Sequence, residues 1–143
     1  MSTLKNKKTP VKEIMIKPDG FPVLSEKTLL KEALEAMGRF RLGIVCIVNE
    51  RSQLLGIISD GDIRRKLLKV QKPFSAFFMD DALIHAIRSP ITIQPSAPLI
   101  EGIELMGKKQ IWDLPVVDAK GSLVGLLHLH PAISAVLGVG NDA

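Results

Sequence analysis

The sequence predicts an α+β fold made of two copies of one unit, each a small β-sheet packed with two helices, related by a pseudo-twofold axis. Two observations predict it. The chain repeats itself at one constant offset, which places Leu30 on Leu99, and both copies carry the same order of apolar helix faces and short apolar strands. Each copy is only about 60 residues, small for an independent core, so we expect the copies to pack on each other.

The first copy reads as an extended piece, a helix, a hairpin and a second helix. A short turn or extended segment at 11–16 and a turn at 19–22 precede it. The first helix has apolar residues at i, i+3, i+4 and i+7, and the strands are rich in β-branched residues. In order, the predicted elements are extended Val23–Leu24, the helix bearing Leu30, Ala33, Leu34 and Met37, strands 44–48 and 54–58, and a helix over 62–68.

The second copy follows without a gap in the alignment. At the constant offset, apolar, glycine and acidic positions of the first copy meet the same residue types in the second. The identities include Leu30 with Leu99, Glu32 with Glu101, Met37 with Met106, Gly38 with Gly107, Val48 with Val117 and Gly56 with Gly125. We therefore predict an internal duplication with these boundaries: a basic tail 1–9, a first domain 10–70, a linker 71–81, a second domain 82–137 and a tail 138–143.

The charge distribution and the apolar pattern argue against a nucleic-acid-binding protein and against a membrane-spanning protein. Of the net charge of +4, the whole excess lies between Met1 and Lys17, and the chain has one Trp and no Tyr, so we expect no nucleic-acid partner. The chain has no apolar run long enough to span a bilayer and no signal-peptide pattern at the N-terminus, so we expect no membrane span and a cytoplasmic protein. The single cysteine, Cys46, lies in an apolar run and is expected to be a buried thiol.

The stretch Gly56–Asp62, with the sequence GIISDGD, is the strongest candidate site. It places a hydroxyl, Ser59, at a strand end and a carboxylate, Asp62, in the first turn of a helix. Unpaired N–H groups at a helix start suit a phosphate, and a neighbouring carboxylate suits ribose hydroxyls. The alternative is that Ser59, Asp60 and Asp62 only cap the helix.

The duplicated hairpin followed by Gly-h-h-(Ser or Thr)-x-x-Asp resembles a pair of cystathionine-β-synthase-type (CBS) domains over about residues 10 to 137. The stretches LGIVCIVNERSQLLGIISDGDIRRKL and LVGLLHLHPAIS are similar to the regulatory C-terminal region of bacterial arabinose-5-phosphate isomerases. In that family the regulatory region typically has the sequence T-D-G-D-L-R-R where this chain has SDGDIRR, and L-H-M-H-D where this chain has LHLHP.

The resemblance implies a module that binds a nucleotide or nucleotide-sugar between its repeats and regulates an attached isomerase domain of the lipopolysaccharide pathway. Candidate ligands are CMP-Kdo and adenine nucleotides, and no cofactor is required. By resemblance, Ser59 contacts phosphate and Asp62 holds the ribose. The remaining implied binding residues are Asp60, Gly61, Val23, Leu24, Ser25, Ile44, Val45, Cys46, His128 and His130.

The second copy departs from the pattern, because His128 and Pro131 stand where Ser59 and Asp62 stand in the first. A ribose site in the second copy is therefore in doubt. His128 and His130 would share one side of a strand end and could hold a metal, although two ligands are too few for an ordinary zinc site. The alternative is that one histidine binds a phosphate or sugar acid and the other packs.

We expect no catalysis by this chain, because no nucleophile–base pair is evident beyond Ser59 with His128 and His130, and the sequence has no phosphate loop. An isomerase active site would lie in a separate upstream domain, so the chain is either a fragment or a free-standing regulator. Two functions stay open: a ligand-sensing module, and a structural module that only dimerises. In either case the resemblance implies a homodimer.

Overall fold

The computed structural model describes residues 7–69 and 71–138 and divides them into two compact units. The first, here the repeat-1 unit, is Pro18–Pro90. The second, the repeat-2 unit, joins the described residues up to Lys17 with those from Ile91 onward. Both contain small sheets and helices, so the predicted α+β class is confirmed.

The repeat-1 unit holds a three-stranded sheet in the order β1-β2-β3, with β1 parallel and β3 antiparallel to β2. Two single turns of 3-10 helix, Pro18–Gly20 and Ala82–His85, flank these elements. The elements are β1 (Val23–Ser25), α1 (Leu30–Phe40), β2 (Ile44–Val48), β3 (Leu54–Ser59), α2 (Asp60–Lys69) and α3 (Phe74–Phe78).

The repeat-2 unit holds an antiparallel hairpin between two helices, and a 3-10 turn at Val11–Glu13 belongs to it. Its counterpart of β1 is a single parallel bridge between Ile93 and Val116. The elements are α4 (Leu99–Lys109), β4 (Asp113–Val117), β5 (Leu123–His128) and α5 (Leu129–Leu137).

The two hairpin turns use the same device at equivalent positions. The Asn49 side chain accepts hydrogen bonds from the N–H groups of Arg51 and Gln53, at 2.9 and 3.0 Å. The Asp118 side chain does the same for Lys120 and Ser122, at 2.9 and 3.0 Å. Asn and Asp side chains favour such turns because they imitate a backbone acceptor. The predicted duplication therefore extends to side-chain hydrogen bonds.

Each unit has its own hydrophobic core, and α1 and α4 each turn their predicted apolar face inward. On α1, Leu30, Ala33 and Met37 are buried, and Leu34 packs at the edge of the same cluster. On α4, Leu99 and Met106 are buried, and Ile103 packs beside them. Burial of a large apolar side chain contributes about 1.5–3 kcal/mol, so these faces fix how each helix sits on its sheet.

The connecting segments are where the structure departs from the predicted boundaries. Residues 10–17, assigned to the first domain, belong to the repeat-2 unit, because Ile16 pairs with Leu126 and Val11 N donates to Ala97 O at 2.8 Å. Residues 71–90 belong to the repeat-1 unit, because Ile87 pairs with Ile57 and the Phe77 side chain is buried in that core. Segment 71–81 is thus part of a core and not a simple linker.

The predicted tails fall largely outside the described residues, which include only 7–9 of the first tail and 138 of the second. Residues 7–9 are not free, because Lys7 O and Thr9 O accept hydrogen bonds from the first N–H groups of α4. Within the described ranges, no helix is long and apolar enough to cross a membrane.

Candidate functional site

Ser59 and Asp62 lie at the junction of β3 and α2 and are bonded to each other. Asp62 Oδ2 accepts from Ser59 N at 3.0 Å and from Ser59 Oγ at 2.8 Å, and Ser59 Oγ accepts from Asp62 N at 3.1 Å. This reciprocal pattern is that of a capping box, with Asp in the place of the usual Glu. The capping alternative is therefore present in the structure, and it also holds both polar groups rigidly at the helix start.

The charge state of Asp62 follows from its surroundings. Burial alone would raise the pKa of Asp62, but the Ser59 N–H, the Arg65 guanidinium and the Ser59 hydroxyl together outweigh it and hold that pKa below its ordinary value. Arg65 Nη2 lies 2.7 Å from Asp62 Oδ1. Asp62 is consequently an anionic hydrogen-bond acceptor at neutral pH, as an interaction with ribose hydroxyls requires.

The neighbouring motif residues sit on the first turn of α2. Asp60 is exposed, and its N–H donates to Gly43 O at 2.9 Å. Gly61 has no side chain, and a Cβ placed there would lie 3.3 Å from Arg65 Nη1. This turn therefore presents a carboxylate, a bare backbone and a guanidinium close together.

Val23, Leu24 and Ser25 form β1, and the register shows their distance from Ser59. Ser59 pairs with Ile44 at the start of β2, whereas Ser25 pairs with Val48 at its end. At about 3.3 Å per residue, Ser25 lies about 13 Å along the sheet from Ser59.

The carboxyl ends of β1 and β2 border a separate concavity of ≈ 220 Å³ lined by residues 23–27 and 48–50. Val23, opposite Cys46, is the end of β1 nearer to Ser59.

Ile44, Val45 and Cys46 in β2 are buried, and Val45 belongs to the repeat-1 core. Because side chains alternate along a strand, Ile44 and Cys46 point to the opposite face from Val45. The structure therefore does not group these three side chains on one surface. The Cys46 N–H donates to Pro22 O at 3.0 Å, which ties β2 to the residue before β1.

The two histidines of the second copy do not act together. His128 ends β5, and its Nδ1 lies 2.7 Å from Asp113 Oδ1 on the opposing residue of β4. His130 lies in the first turn of α5 and is exposed. The expectation that they share one side of a strand is wrong, because α5 begins at Leu129 and residues i and i+2 of a helix diverge. Among residues 7–69 and 71–138 no group of three potential metal ligands occurs.

Sequence reasoning missed two partners of the predicted residues. Arg65 follows Asp62 at the i+3 spacing that brings opposite charges together on a helix, so the pair could have been recognised. Asp113 faces His128 across the hairpin. The sequence indicates that Asp113 is unusual, because it is a charged residue at the start of a strand, where the equivalent residue of the first copy, Ile44, is apolar.

A further polar cluster lies on the segment after α2. Asp80 Oδ2 is 2.6 Å from Lys72 Nζ and 2.9 Å from His85 Nε2, and the His85 ring packs on Phe77. The Lys72 hydrogen bond, and secondarily that of His85, hold the pKa of Asp80 below its ordinary value. Asp80 O also accepts from Leu30 N at 2.8 Å, so this cluster positions the segment that caps α1.

Comparison with known proteins gives a family. The family model described as CBS domain matches residues 11–69 and 82–130. Arabinose 5-phosphate isomerase GutQ of Salmonella typhi is 30% identical over 123 residues, which cover 84% of this chain and 36% of that protein. The chain spans about a third of the length of the curated relatives it matches.

Solved structures agree with this family. CBSX2 in complex with AMP has a TM-score of 0.79 and 25% identity, with 91% of this chain and 97% of that chain covered. The CBS domain pair of MJ0100, in complex with 5-methylthioadenosine and S-adenosyl-L-methionine, has a TM-score of 0.72 and 27% identity, with 91% and 96% covered.

Proposed function

Because this chain belongs to the CBS-domain family, we propose that it is a regulatory module that binds one adenine nucleotide at the start of α2. The observation that carries the proposal is the junction of Ser59 and Asp62. There an anionic carboxylate, a hydroxyl and helix N-terminal N–H groups are held in one place by reciprocal hydrogen bonds. In this proposal, Asp62 accepts from the ribose hydroxyls, and Ser59 and the Gly61 N–H face the phosphate. The N–H groups of Asp60 and Asp62 already donate to Gly43 O and Ser59 Oγ.

Adenine is the first choice of base because both similar structures described above hold adenine compounds, AMP in one and S-adenosyl-L-methionine with 5-methylthioadenosine in the other. A cytidine sugar such as CMP-Kdo is the second candidate, supported by the similarity to GutQ. On that second reading, the module would sense an end product of the pathway that an isomerase feeds.

The wider setting is also a proposal. An isomerase catalytic domain is the proposed partner, on the strength of the GutQ similarity and the length of the relatives, and catalysis is assigned to that domain. A homodimer formed through this module and a cytoplasmic location complete the proposal. The competing function is a structural dimerisation module without a ligand, which the histidine and proline in place of Ser59 and Asp62 in the second copy favour.

A thermal-shift screen of AMP, ATP, S-adenosyl-L-methionine, CMP and CMP-Kdo tests the proposal. A ligand at 100 times its dissociation constant adds about 2.7 kcal/mol to the free energy of unfolding. We expect an adenine compound to raise the melting temperature of the wild type and to have a smaller effect on Asp62→Asn. The same screen without a shift for any compound would favour the structural function.

A further inference from the structure

We propose that the concavity at the carboxyl ends of β1 and β2 binds a free α-amino acid with an apolar side chain. The concavity has a volume of ≈ 220 Å³ and is lined by residues 23–27 and 48–50. Its outer end, at Ser25, lies about 13 Å along the sheet from Ser59. Amino-acid binding here uses no residue of the proposed nucleotide site at the start of α2.

The topology of the repeat-1 sheet opens this concavity. β1 and β2 are parallel neighbours, and the connections that follow them diverge. The chain leaves β1 for α1, which packs on the core, and leaves β2 for the tight turn into β3. Where the connections after neighbouring parallel strands separate, a crevice forms outside the carboxyl ends of the strands, and ligands of open α/β sheets bind in such crevices.

The floor of the concavity is apolar. It is formed by half-buried Val23, Leu24 and Val48. Small-molecule sites combine such an apolar lining with a few polar groups that fix the orientation of the ligand. The volume lies below the range of about 300–1,000 Å³ that is typical of drug-sized ligands, so the occupant is a small metabolite with a short apolar group.

The rim of the concavity carries charges of both signs on Glu26, Lys27 and Glu50, and all three residues are exposed. In the described part of the chain, no ion pair involves any of them. A phosphate would meet two carboxylates here, and a simple amine would leave Lys27 without a role. A zwitterion uses both signs, because its carboxylate pairs with Lys27 and its ammonium group with the glutamates.

The second copy shows that the fold does not require these rim charges. At the constant offset between the copies, the equivalents of Glu26, Lys27 and Glu50 are Pro95, Ser96 and Ala119. The second copy nevertheless forms the equivalent helix, α4, and the equivalent hairpin turn at Asp118. The proposed amino-acid site therefore belongs to the first copy.

Titration of isotope-labelled wild type with L-leucine, followed by NMR of the backbone amides, tests the proposal. We expect saturable shifts for amides within 23–27 and 48–50, and none within 59–65. Two analogues each lack one charge: isocaproate has no ammonium group and isoamylamine has no carboxylate. Each should bind about fivefold more weakly than L-leucine, because an exposed charge pair contributes up to about that factor.

Lys31 supplies a matched control for Lys27. It carries the same charge and is exposed on α1, but it does not line the concavity. Lys27→Gln should weaken L-leucine binding by about fivefold, whereas Lys31→Gln should change it by less than about twofold. The amide spectra of both variants also show whether each is folded.

Three results would each overturn the proposal: no saturable shift within 23–27 and 48–50, equal affinity for L-leucine and either analogue, or equal affinity of Lys27→Gln and wild type for L-leucine. AMP, added in a separate titration, should instead shift amides around Ser59. The amino-acid site and the nucleotide site are therefore tested independently, and the failure of one leaves the other in place.

Discussion

Gly56 in β3 tests whether segment 86–88 belongs to the repeat-1 unit, as the structure has it. A Cβ at Gly56 would lie 2.9 Å from Ile87 O and 3.0 Å from Ala86 Cβ. Neither neighbour is a flexible side-chain end, so Gly56→Ala must displace the backbone of this segment. The segment is held by two bonds between Ile57 and Ile87, of 3.1 and 2.8 Å, and by Arg88 Nε donating to Leu55 O at 3.0 Å.

Overpacking of a fitted site costs about 1–3 kcal/mol, so we expect Gly56→Ala to lower the free energy of unfolding by that amount. Gly38→Ala is the matched control, because nothing lies within 4 Å of a Cβ placed at that exposed position of α1. There the same substitution should stabilise by about 0.5–1 kcal/mol through helix propensity. The assay is urea unfolding followed by circular dichroism. Equal stability of Gly56→Ala and wild type would refute the pairing of 86–88 with β3.

Three further predictions concern the core, the charge of Asp62 and self-association. Phe77→Ala should lower the free energy of unfolding by about 3–5 kcal/mol in the same assay, because the ring is buried. Phe74→Ala is the control: that ring is 64% exposed, so its loss should change the free energy of unfolding by less than about 0.5 kcal/mol. Similar values for the two variants would contradict the core role of α3. Because the pKa of Asp62 is lowered from 3.8, its stabilising contribution is present above that value and is lost as pH falls through the lower folded pKa. The stability difference between wild type and Asp62→Asn should therefore shrink on acidification below about pH 4, and a pH-independent difference would argue against an ionised Asp62. Light scattering at tens of micromolar should give twice 15.6 kDa, since exposed Leu68, Phe74 and Trp112 leave apolar surface to cover; a monomer mass would reject the homodimer.

The sequence was sufficient for the repeat and for most of the elements within it. The constant offset between the copies aligned β2 with β4 and β3 with β5, because core positions such as Met37 and Met106 are constrained in the same way. The apolar periodicity of α1 and α4 predicted their buried faces, since burial dominates the placement of an amphipathic helix.

The partners of the connecting segments were beyond sequence reasoning. Ile16 and Ile87 carry no signal that tells which hairpin edge they pair with, because backbone bridges depend on chain geometry and not on side-chain type. The helix start at Leu129 was also missed, because the expectation for His128 and His130 placed both histidines at a strand end, although Pro131 suits a first helical turn. At the candidate site, the motif predicted Ser59 and Asp62, whereas the ion pair of Asp62 with Arg65 was missed although the i+3 spacing of the two residues indicates it.

Titration of the wild type and two variants with AMP tests the central proposal most directly. We expect one site per chain. Asp62→Asn keeps the size of the side chain and an oxygen acceptor for Ser59 N but loses the charge, and a charge-assisted bond is worth about 1.5–3 kcal/mol. Affinity should therefore fall by about ten- to a hundredfold in Asp62→Asn. It should stay unchanged in Pro131→Ala, the equivalent position of the second copy. Unchanged affinity in Asp62→Asn, or two equal sites per chain in wild type, would contradict the assignment of the nucleotide to the start of α2.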